Sequence, residues 1–122
     1  MVHIHVPGDR KRLPAVFYRT AAGSEPVREW LKTLARDDRL AIGEDIKDVE
    51  FSWPIGMPLC RNMGQGVWEV RTQLRDRIAR VLFCVFEEQM VLLHGFIKKS
   101  RKTPPGDLEL ARQRKRDLEN AR

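Results

Sequence analysis

The chain has 122 residues, of which 42% are hydrophobic and 33% charged, and a formal net charge of +6. This length suits one domain with a core and is too short for two, and the composition excludes an intrinsically disordered chain. Residues 1–60 carry nine Lys or Arg against nine Asp or Glu, whereas residues 61–122 carry fourteen against eight. A polyanion or an acidic protein is therefore the expected partner, although such cations can also simply solvate a surface.

No stretch has the length and apolarity of a membrane span, and the first 14 residues lack the apolar segment of a signal peptide. Cys60 and Cys84 show no CxxC spacing, so they are expected to pack as reduced thiols. His3 and His5 lie in the N-terminal tail, which gives poor support to a metal site. The sequence therefore predicts a cytoplasmic protein without membrane contact, metal ion or small-molecule cofactor.

The first predicted elements are a lead-in, a strand and a helix. Residues 1–13 are polar and basic and are expected to form a loose lead-in, and residues 14–18 (PAVFY) predict a first strand. Ser24 is a good N-cap residue, with Pro26 in the first turn of the helix. Apolar side chains then recur with the spacing of one helix face, namely Val27, Trp30, Leu31, Leu34 and Ala35.

A second helix is predicted to follow directly. Asp37 or Asp38 can cap it, and Pro54 is expected to end it. Its apolar side consists of Ile42, Ile46, Val49 and Trp53. Two short helices joined by a tight acidic turn predict an α-hairpin laid against a sheet.

From residue 59 onwards the apolar period becomes that of β-strands. Turn signals separate four predicted strands, which span residues 59–63, 67–73, 78–86 and 90–98. The second of them alternates, with Trp68, Val70 and Thr72 on one face and Val67, Glu69 and Arg71 on the other. The third is apolar on both faces, which is typical of a central strand covered on both sides, and Arg80 is its only charged residue.

A last helix is predicted after Thr103, Pro104 and Pro105, with Leu108, Ala111 and Leu118 on its apolar side. The predicted order is β-α-α-β-β-β-β-α, within one domain spanning residues 1–122. An antiparallel meander with the helices grouped on one face places the chain in the α+β class.

Arg71 and Arg80 form the most informative charged pair. A hairpin centred near residues 75–76 places them opposite each other, so that both guanidinium groups emerge on one face. Like charges in these positions repel unless an anion or a carboxylate such as Glu69 lies between them. A scissile phosphate suits the pair, since guanidinium groups contact phosphate oxygens at two points. The structural alternative, in which Glu69 and Asp76 tie down both arginines, stays open.

The last strand ends in four cations, Lys98, Lys99, Arg101 and Lys102. For Lys99 or Arg101 alone, a solvated loop charge is the simpler explanation. Lys98 shares strand parity with Leu92, His94 and Phe96, so packing is expected to hold it partly desolvated and able to carry a proton. His94 on an apolar strand is more typical of a satisfied core histidine than of a catalyst.

The segments VWEVR, RVLFCVF and VLLHGFIKKSRKTPP, followed by a helix, resemble the RelE/HigB toxins of type II toxin–antitoxin systems. The resemblance is strongest to their phage-derived Gp49-like branch, whose members end in a similar HGFxKK…KTP run, and it covers roughly residues 14–119. It implies a microbial ribonuclease fold and ribosome-dependent cleavage of mRNA. It also implies neutralisation by an antitoxin encoded beside the toxin, a helix-turn-helix protein of the HigA type.

The resemblance further implies roles for individual residues. Arg71 takes the place of the arginine in the third-strand motif, and Arg80 that of the arginine opening the next strand. The basic cluster of the family is matched by Lys98, Lys99 and Lys102. The best-known RelE members carry a tyrosine after that cluster, whereas the sole tyrosine here is Tyr18, in the first strand. Either Lys98 or His94 takes over as the base, or the activity is weaker than in those relatives.

Three functions are compatible with these residues. In the first, an endoribonuclease lets the mRNA 2′-hydroxyl attack its own 3′ phosphate without a metal ion. Arg71 and Arg80 stabilise charge, and Lys98 assists proton transfer. The RNA backbone is held by Lys99, Arg101 and Lys102, with His94 and Glu69 in supporting roles.

The second function is that of a ParE-like toxin, which inhibits DNA gyrase by binding and needs none of these cations. The third is a noncatalytic RNA- or ribosome-binding module, whose binding is salt-sensitive and creates no new RNA ends. Cations from three neighbouring strands converge on one edge of the predicted sheet, and this convergence favours the first function.

Overall fold

The structure is a computed structural model that describes residues 10–98 and 103–121. Eight elements follow one another in the predicted order β-α-α-β-β-β-β-α, which confirms the α+β class. The strands are β1 (Ala15–Phe17), β2 (Cys60–Gly64), β3 (Val67–Gln73), β4 (Ile78–Phe86) and β5 (Gln89–Lys98). The helices are α1 (Pro26–Lys32), α2 (Arg36–Ser52) and α3 (Pro105–Asn120).

The five strands form one sheet in the order β1-β5-β4-β3-β2. Strands β2 to β5 are the predicted antiparallel meander, but β1 pairs in parallel with β5, with Val16 opposite Val91. The α1–α2 pair carries the chain across the sheet from β1 to the far edge, where β2 begins. The chain between β1 and β5 contains both helices and strands β2 to β4, and it is long enough to return β5 beside β1 in the parallel direction.

The helices cover both faces of the sheet, so the expectation that all three lie on one face is wrong. One core lies under α1 and α2 and contains Val27, Ile42, Ile46, Val49, Val70, Val81 and Phe83. The other lies under α3 and contains Val67, Leu82, Cys84, Leu93 and Ala111. The physical reason is the apolar character of β4 on both sides, since a single helical layer would leave one apolar face in water.

The predicted helix starts are shifted. Helix α1 has Glu25 at its N-cap without a side-chain cap bond, and the Ser24 hydroxyl instead lies 2.8 Å from that of Thr20. Helix α2 begins at Arg36, so Asp37 and Asp38 lie in its first turn rather than at the cap. Carboxylates there still favour the helix, because they face the positive end of its dipole.

A β-bulge in β5 changes which side chains share a face. Leu82 pairs with His94, but the next residue of β4, Phe83, pairs with Leu92, which leaves Leu93 as the extra residue. Leu92 consequently packs in the core under α1 and α2, while Leu93 packs under α3. The predicted common parity of Leu92 with His94 is therefore wrong, whereas residues 94, 96 and 98 do share the α3 face.

Both cysteines are free and buried, as predicted. Cys60 lies in the core under α1 and α2 and Cys84 in the core under α3, so the sheet separates them. Burial raises the pKa of each thiol to about 11, which makes both poor nucleophiles. Within the described ranges, no helix is long and apolar enough to cross a membrane.

Two glycines allow a paired test of this packing. A Cβ built at Gly95 of β5 would overlap the ring of Trp30 from α1, whereas one built at Gly43 of α2 meets no atom within 4 Å. We expect Gly95→Ala to lower the free energy of unfolding by about 1–3 kcal/mol, through overpacking. Gly43→Ala should raise it by about 0.5–1 kcal/mol, because alanine costs less backbone entropy in a helix. Urea denaturation of both variants measures the difference, and a tolerated Gly95→Ala would contradict the Trp30 contact.

Candidate functional site

The predicted pairing of the two arginines is present in the sheet. Arg71 on β3 lies directly opposite Arg80 on β4, and the row continues to Phe96 on β5. The next row contains Gln73, Ile78 and Lys98. Alternate residues of a strand share a face, so Arg71, Arg80 and Lys98 all belong to the face that α3 partly covers.

Glu69 relieves the repulsion between the two guanidinium groups. Its Oε2 lies 3.6 Å from Arg80 Nη1 and its Oε1 lies 3.8 Å from Arg71 Nε. The side chains of Glu69 and Arg80 are both fully buried, and a buried charge of this kind needs an opposite charge beside it. Glu69 therefore pairs with both arginines, as the structural alternative expected. Asp76, the second carboxylate named in that alternative, instead pairs with Arg77 at 3.1 Å.

Thr103 completes this buried cluster. Its hydroxyl donates a hydrogen bond to Glu69 Oε2 and accepts one from Arg80 Nη1 at 3.2 Å. Thr103 lies two residues before α3 and directly after residues 99–102. The buried ion pair therefore holds Thr103, the first described residue after the basic run. The sequence marked Thr103 only as the residue that ends the strand, because no local pattern links it to a glutamate 34 positions away.

Full burial changes what Arg80 can do. Burial lowers the pKa of Arg80, and the Glu69 carboxylate acts in the opposite direction. Nearby Arg71 and Arg61 lower it further. In this arrangement Arg80 holds Glu69 and Thr103 in place and does not reach an external ligand. Its direct contact with a phosphate stays a prediction and requires Thr103 to move.

Arg71 and Lys98 are the accessible cations among the predicted catalytic residues. The Arg71 side chain is 19% exposed, and its Nε is buried with no hydrogen-bond partner within the described ranges. Lys98 is exposed, so the partial desolvation expected of a proton carrier is not present. The predicted RNA-binding residues Lys99, Arg101 and Lys102 lie outside the described residues.

His94 pairs with a carboxylate from α3. Its Nε2 lies 2.6 Å from Asp107 Oδ1, and its ring stacks on Phe96 with centroids 5.5 Å apart. The pair joins β5 to the first turn of α3 and gives the imidazole a fixed orientation. Asp107 was missed by sequence reasoning, because only the fold brings the start of α3 over the middle of β5.

Two arginines of α3 hold the helix on the sheet. Arg114 Nη1 donates to the carbonyl of Leu93 at 2.8 Å, and its guanidinium lies 5.9 Å from the centre of the Tyr18 ring. Arg112 Nη2 donates to the carbonyl of Met63 at 3.1 Å. Tyr18 thus packs in the core under α3, where it belongs to a different part of the sheet from Lys98. It is no spatial substitute for the tyrosine that follows the basic cluster in RelE members.

The fold and this cationic sheet face define a small α+β protein suited to an anionic partner, and a sequence comparison narrows the class. The family model of phage-derived Gp49-like proteins matches residues 29–116, from α1 to late in α3. The chain belongs to this Gp49-like family, which is associated with toxin–antitoxin systems. No curated protein matches the chain at a significant level.

The buried ion pair makes a direct stability prediction. Glu69→Ala leaves the Arg80 charge buried and uncompensated, so we expect a loss of about 3–5 kcal/mol in the free energy of unfolding. Replacing both partners by apolar residues, Glu69→Leu with Arg80→Met, should recover most of that loss, because no buried charge remains.

Urea denaturation measures both variants. Glu109→Ala is the matched control, since it removes an exposed ion pair with Arg116 and should cost about 1 kcal/mol or less. A single Glu69→Ala variant as stable as this control would contradict the assigned role of the pair.

Proposed function

We propose that this protein is the toxin of a type II toxin–antitoxin system and a ribosome-dependent endoribonuclease that cleaves translated mRNA. The observation that carries the proposal is the partly exposed Arg71 side chain, which shares a sheet face with exposed Lys98. The basic run at residues 99–102 continues directly from Lys98. The toxin–antitoxin association of the Gp49-like family supports the toxin assignment.

The reaction needs no chemistry beyond what such a surface supplies. The 2′-hydroxyl of the RNA attacks the adjacent phosphorus and forms a 2′-O–P bond, while the P–O5′ bond breaks. The products are a 2′,3′-cyclic phosphate and a 5′-hydroxyl. The non-bridging oxygens gain negative charge on the way, and Arg71 stabilises it through its two-point guanidinium geometry.

Glu69 prepares Arg71 for this task. Its carboxylate lies beside the Nε of Arg71, and it is itself held by Arg80 and Thr103. This ion pair favours one placement of the Arg71 guanidinium, so less conformational freedom is lost when the side chain binds RNA. Arg80 and Thr103 are therefore positioning residues in this proposal, and Arg71 is the group that touches RNA.

Lys98 supplies a second cation on the same face. Two strand spacings and one two-residue step separate it from Arg71, which places their Cα atoms about 12 Å apart. Two long side chains can bridge that gap and contact neighbouring phosphates of one RNA strand. Its exposure suits a phosphate contact better than proton transfer.

His94 is the described side chain best suited to act as the base. Imidazole exchanges protons readily near neutral pH, and Asp107 fixes the orientation of the ring. Relocation of the base to His94 accounts for the absence of a tyrosine after the basic run. The imidazole takes the proton of the 2′-hydroxyl, and the leaving 5′ oxygen takes up a proton from a water molecule.

The proposed cellular partner is a cognate antitoxin. A basic face that binds RNA must be blocked while the toxin is stored, and an acidic or helical segment of a helix-turn-helix antitoxin suits that purpose. Such a segment would bind over Arg71 and Lys98 and exclude mRNA from both. The protein acts in the cytoplasm in this proposal, since its substrate is mRNA on ribosomes.

Arg71→Ala tests the proposed chemistry. We expect it to slow cleavage of a reporter mRNA on translating ribosomes roughly 10²–10³-fold, because one preorganised charge contact to the transition state is lost. Stability should change little, since Glu69 keeps Arg80 as its buried partner. Mapping the 5′ ends of transcripts after brief induction measures the cleavage, and denaturation measures the fold.

Arg75→Ala is the matched control, because Arg75 is an exposed arginine in the β3–β4 turn. It should cleave like the unmodified protein. Intact reporter mRNA in the presence of folded, unmodified protein and translating ribosomes would overturn the proposal. Growth arrest that persists in an Arg71→Ala, Lys98→Ala double variant would favour gyrase inhibition instead.

A further inference from the structure

A cavity of about 380 Å³ opens beside Arg71 at the edge of the sheet. It lies beside the end of β3 that extends past the first residue of β2. There residues 57–59, which precede β2, flank the outer edge of β3. Its lining comes from residues 57–59, Asp45, Arg71, Gln73 and Ile78. Ligand sites typically have volumes of roughly 300–1,000 Å³, so the cavity can hold a small planar group.

Most of the cavity wall is apolar. Residues 57–59 (MPL) form one side, with Met57 58% exposed at the rim, and Ile78 contributes from β4. Arg71 adds a cationic side chain to the lining. Bases that leave an RNA stack are held by apolar side chains and by the planes of arginine guanidinium groups. The wall therefore has the character of a nucleobase site.

The polar atoms offered by Asp45 and Gln73 are hydrogen-bond acceptors. The amide nitrogen of Gln73 already donates to the carbonyls of Leu74 and Arg77, at 2.8 and 3.2 Å, so its oxygen is what remains for a ligand. Asp45 bonds the hydroxyl of Thr72, and a carboxylate still has further acceptor positions on its two oxygens. A ligand that fits this cavity must therefore supply hydrogen-bond donors.

We propose that this cavity is a subsite for a guanine base of the RNA whose phosphate contacts Arg71. Guanine presents two adjacent donors, N1–H and the N2 amino group, which match the two oxygens of one carboxylate. Adenine and cytosine each place an acceptor next to their amino group, and uracil flanks its single N–H with two carbonyls. This subsite rests on the proposed function and adds a sequence preference to it.

Nucleotide binding to the purified protein tests the subsite without ribosomes. Guanosine 3′-monophosphate, titrated by NMR, should shift the backbone signals of residues 57–59 and Gln73 and bind at least about tenfold more tightly than the adenosine, cytidine and uridine nucleotides. Asp45→Asn should erase that preference, because an amide cannot accept both guanine donors. Asp48→Asn, an exposed acid on the same helix, should keep it.

Asp45→Asn is expected to fold normally. Burial raises the pKa of Asp45, the Thr72 hydrogen bond acts against it, and the neighbouring acids Asp48 and Glu44 raise it further. A pKa raised in the folded state means that this group destabilises the fold as pH rises through that pKa. A neutral amide at this position therefore removes a cost at neutral pH.

The outcomes separate the two proposals. Equal binding of all four nucleotides, no shifts at residues 57–59 with millimolar nucleotide, or a guanine preference that survives Asp45→Asn would each overturn the subsite, whether or not mRNA is cleaved. Guanine-selective binding by a protein that leaves translated mRNA intact would support the subsite and overturn the nuclease. If cleavage occurs, the mapped sites should share a guanine at one fixed position, and Asp45→Asn should flatten that preference.

Discussion

The structure depends on a single buried ion pair between neighbouring strands. Arg80 sits in the apolar strand β4, fully shielded from water, and Glu69 of the adjacent strand supplies an opposite charge 3.6 Å away. An isolated charge in such a place would cost several kcal/mol, roughly the whole stability margin of a small domain. With Arg80 buried here, a carboxylate beside it is therefore required, and the contacts of Arg71 and Thr103 are made to that carboxylate.

This arrangement divides the cations by function. Arginines that are buried or half-buried under α3 satisfy carbonyls or the central carboxylate, as Arg80 and Arg114 do. On the same face, Arg71 is partly exposed and Lys98 is exposed. The proposed RNA contacts lie on this face, and the buried Glu69 carboxylate lies beside Arg71.

Much of the fold could be predicted from sequence, for identifiable reasons. The bounds of β3 and β4 and the pairing of Arg71 with Arg80 follow from the alternation in β3, the apolar run of β4 and the short charged turn between them. These signals are local. The family resemblance agreed with them and was supported at the level of the Gp49-like family. The face assignment of β3, with Glu69 beside Arg71, was also correct.

The other features of the fold and of the candidate site depend on contacts that no local sequence pattern encodes. The extra residue Leu93 in β5 reverses the parity of the strand, and a bulge leaves no trace in an apolar run. The burial of Arg80 follows from α3 lying on the second face, and the cavity beside Arg71 exists because β2 starts late. Thr103 and Asp107 act on partners far away in sequence, so their roles appear only once α3 is placed.

The parallel pairing of β1 with β5 has a consequence for biosynthesis. β1 leaves the ribosome early, yet its partner residues in β5 are translated 75 residues later. Gly95, which makes room for Trp30 of α1, is translated 65 residues after Trp30. The amino-terminal third of a nascent chain therefore has no sheet edge to dock on until β5 emerges. The fold that carries the proposed RNA-binding face is therefore complete only after β5 has been translated. The toxin of this proposal cannot act on mRNA while the ribosome that makes it is still translating the early part of its message.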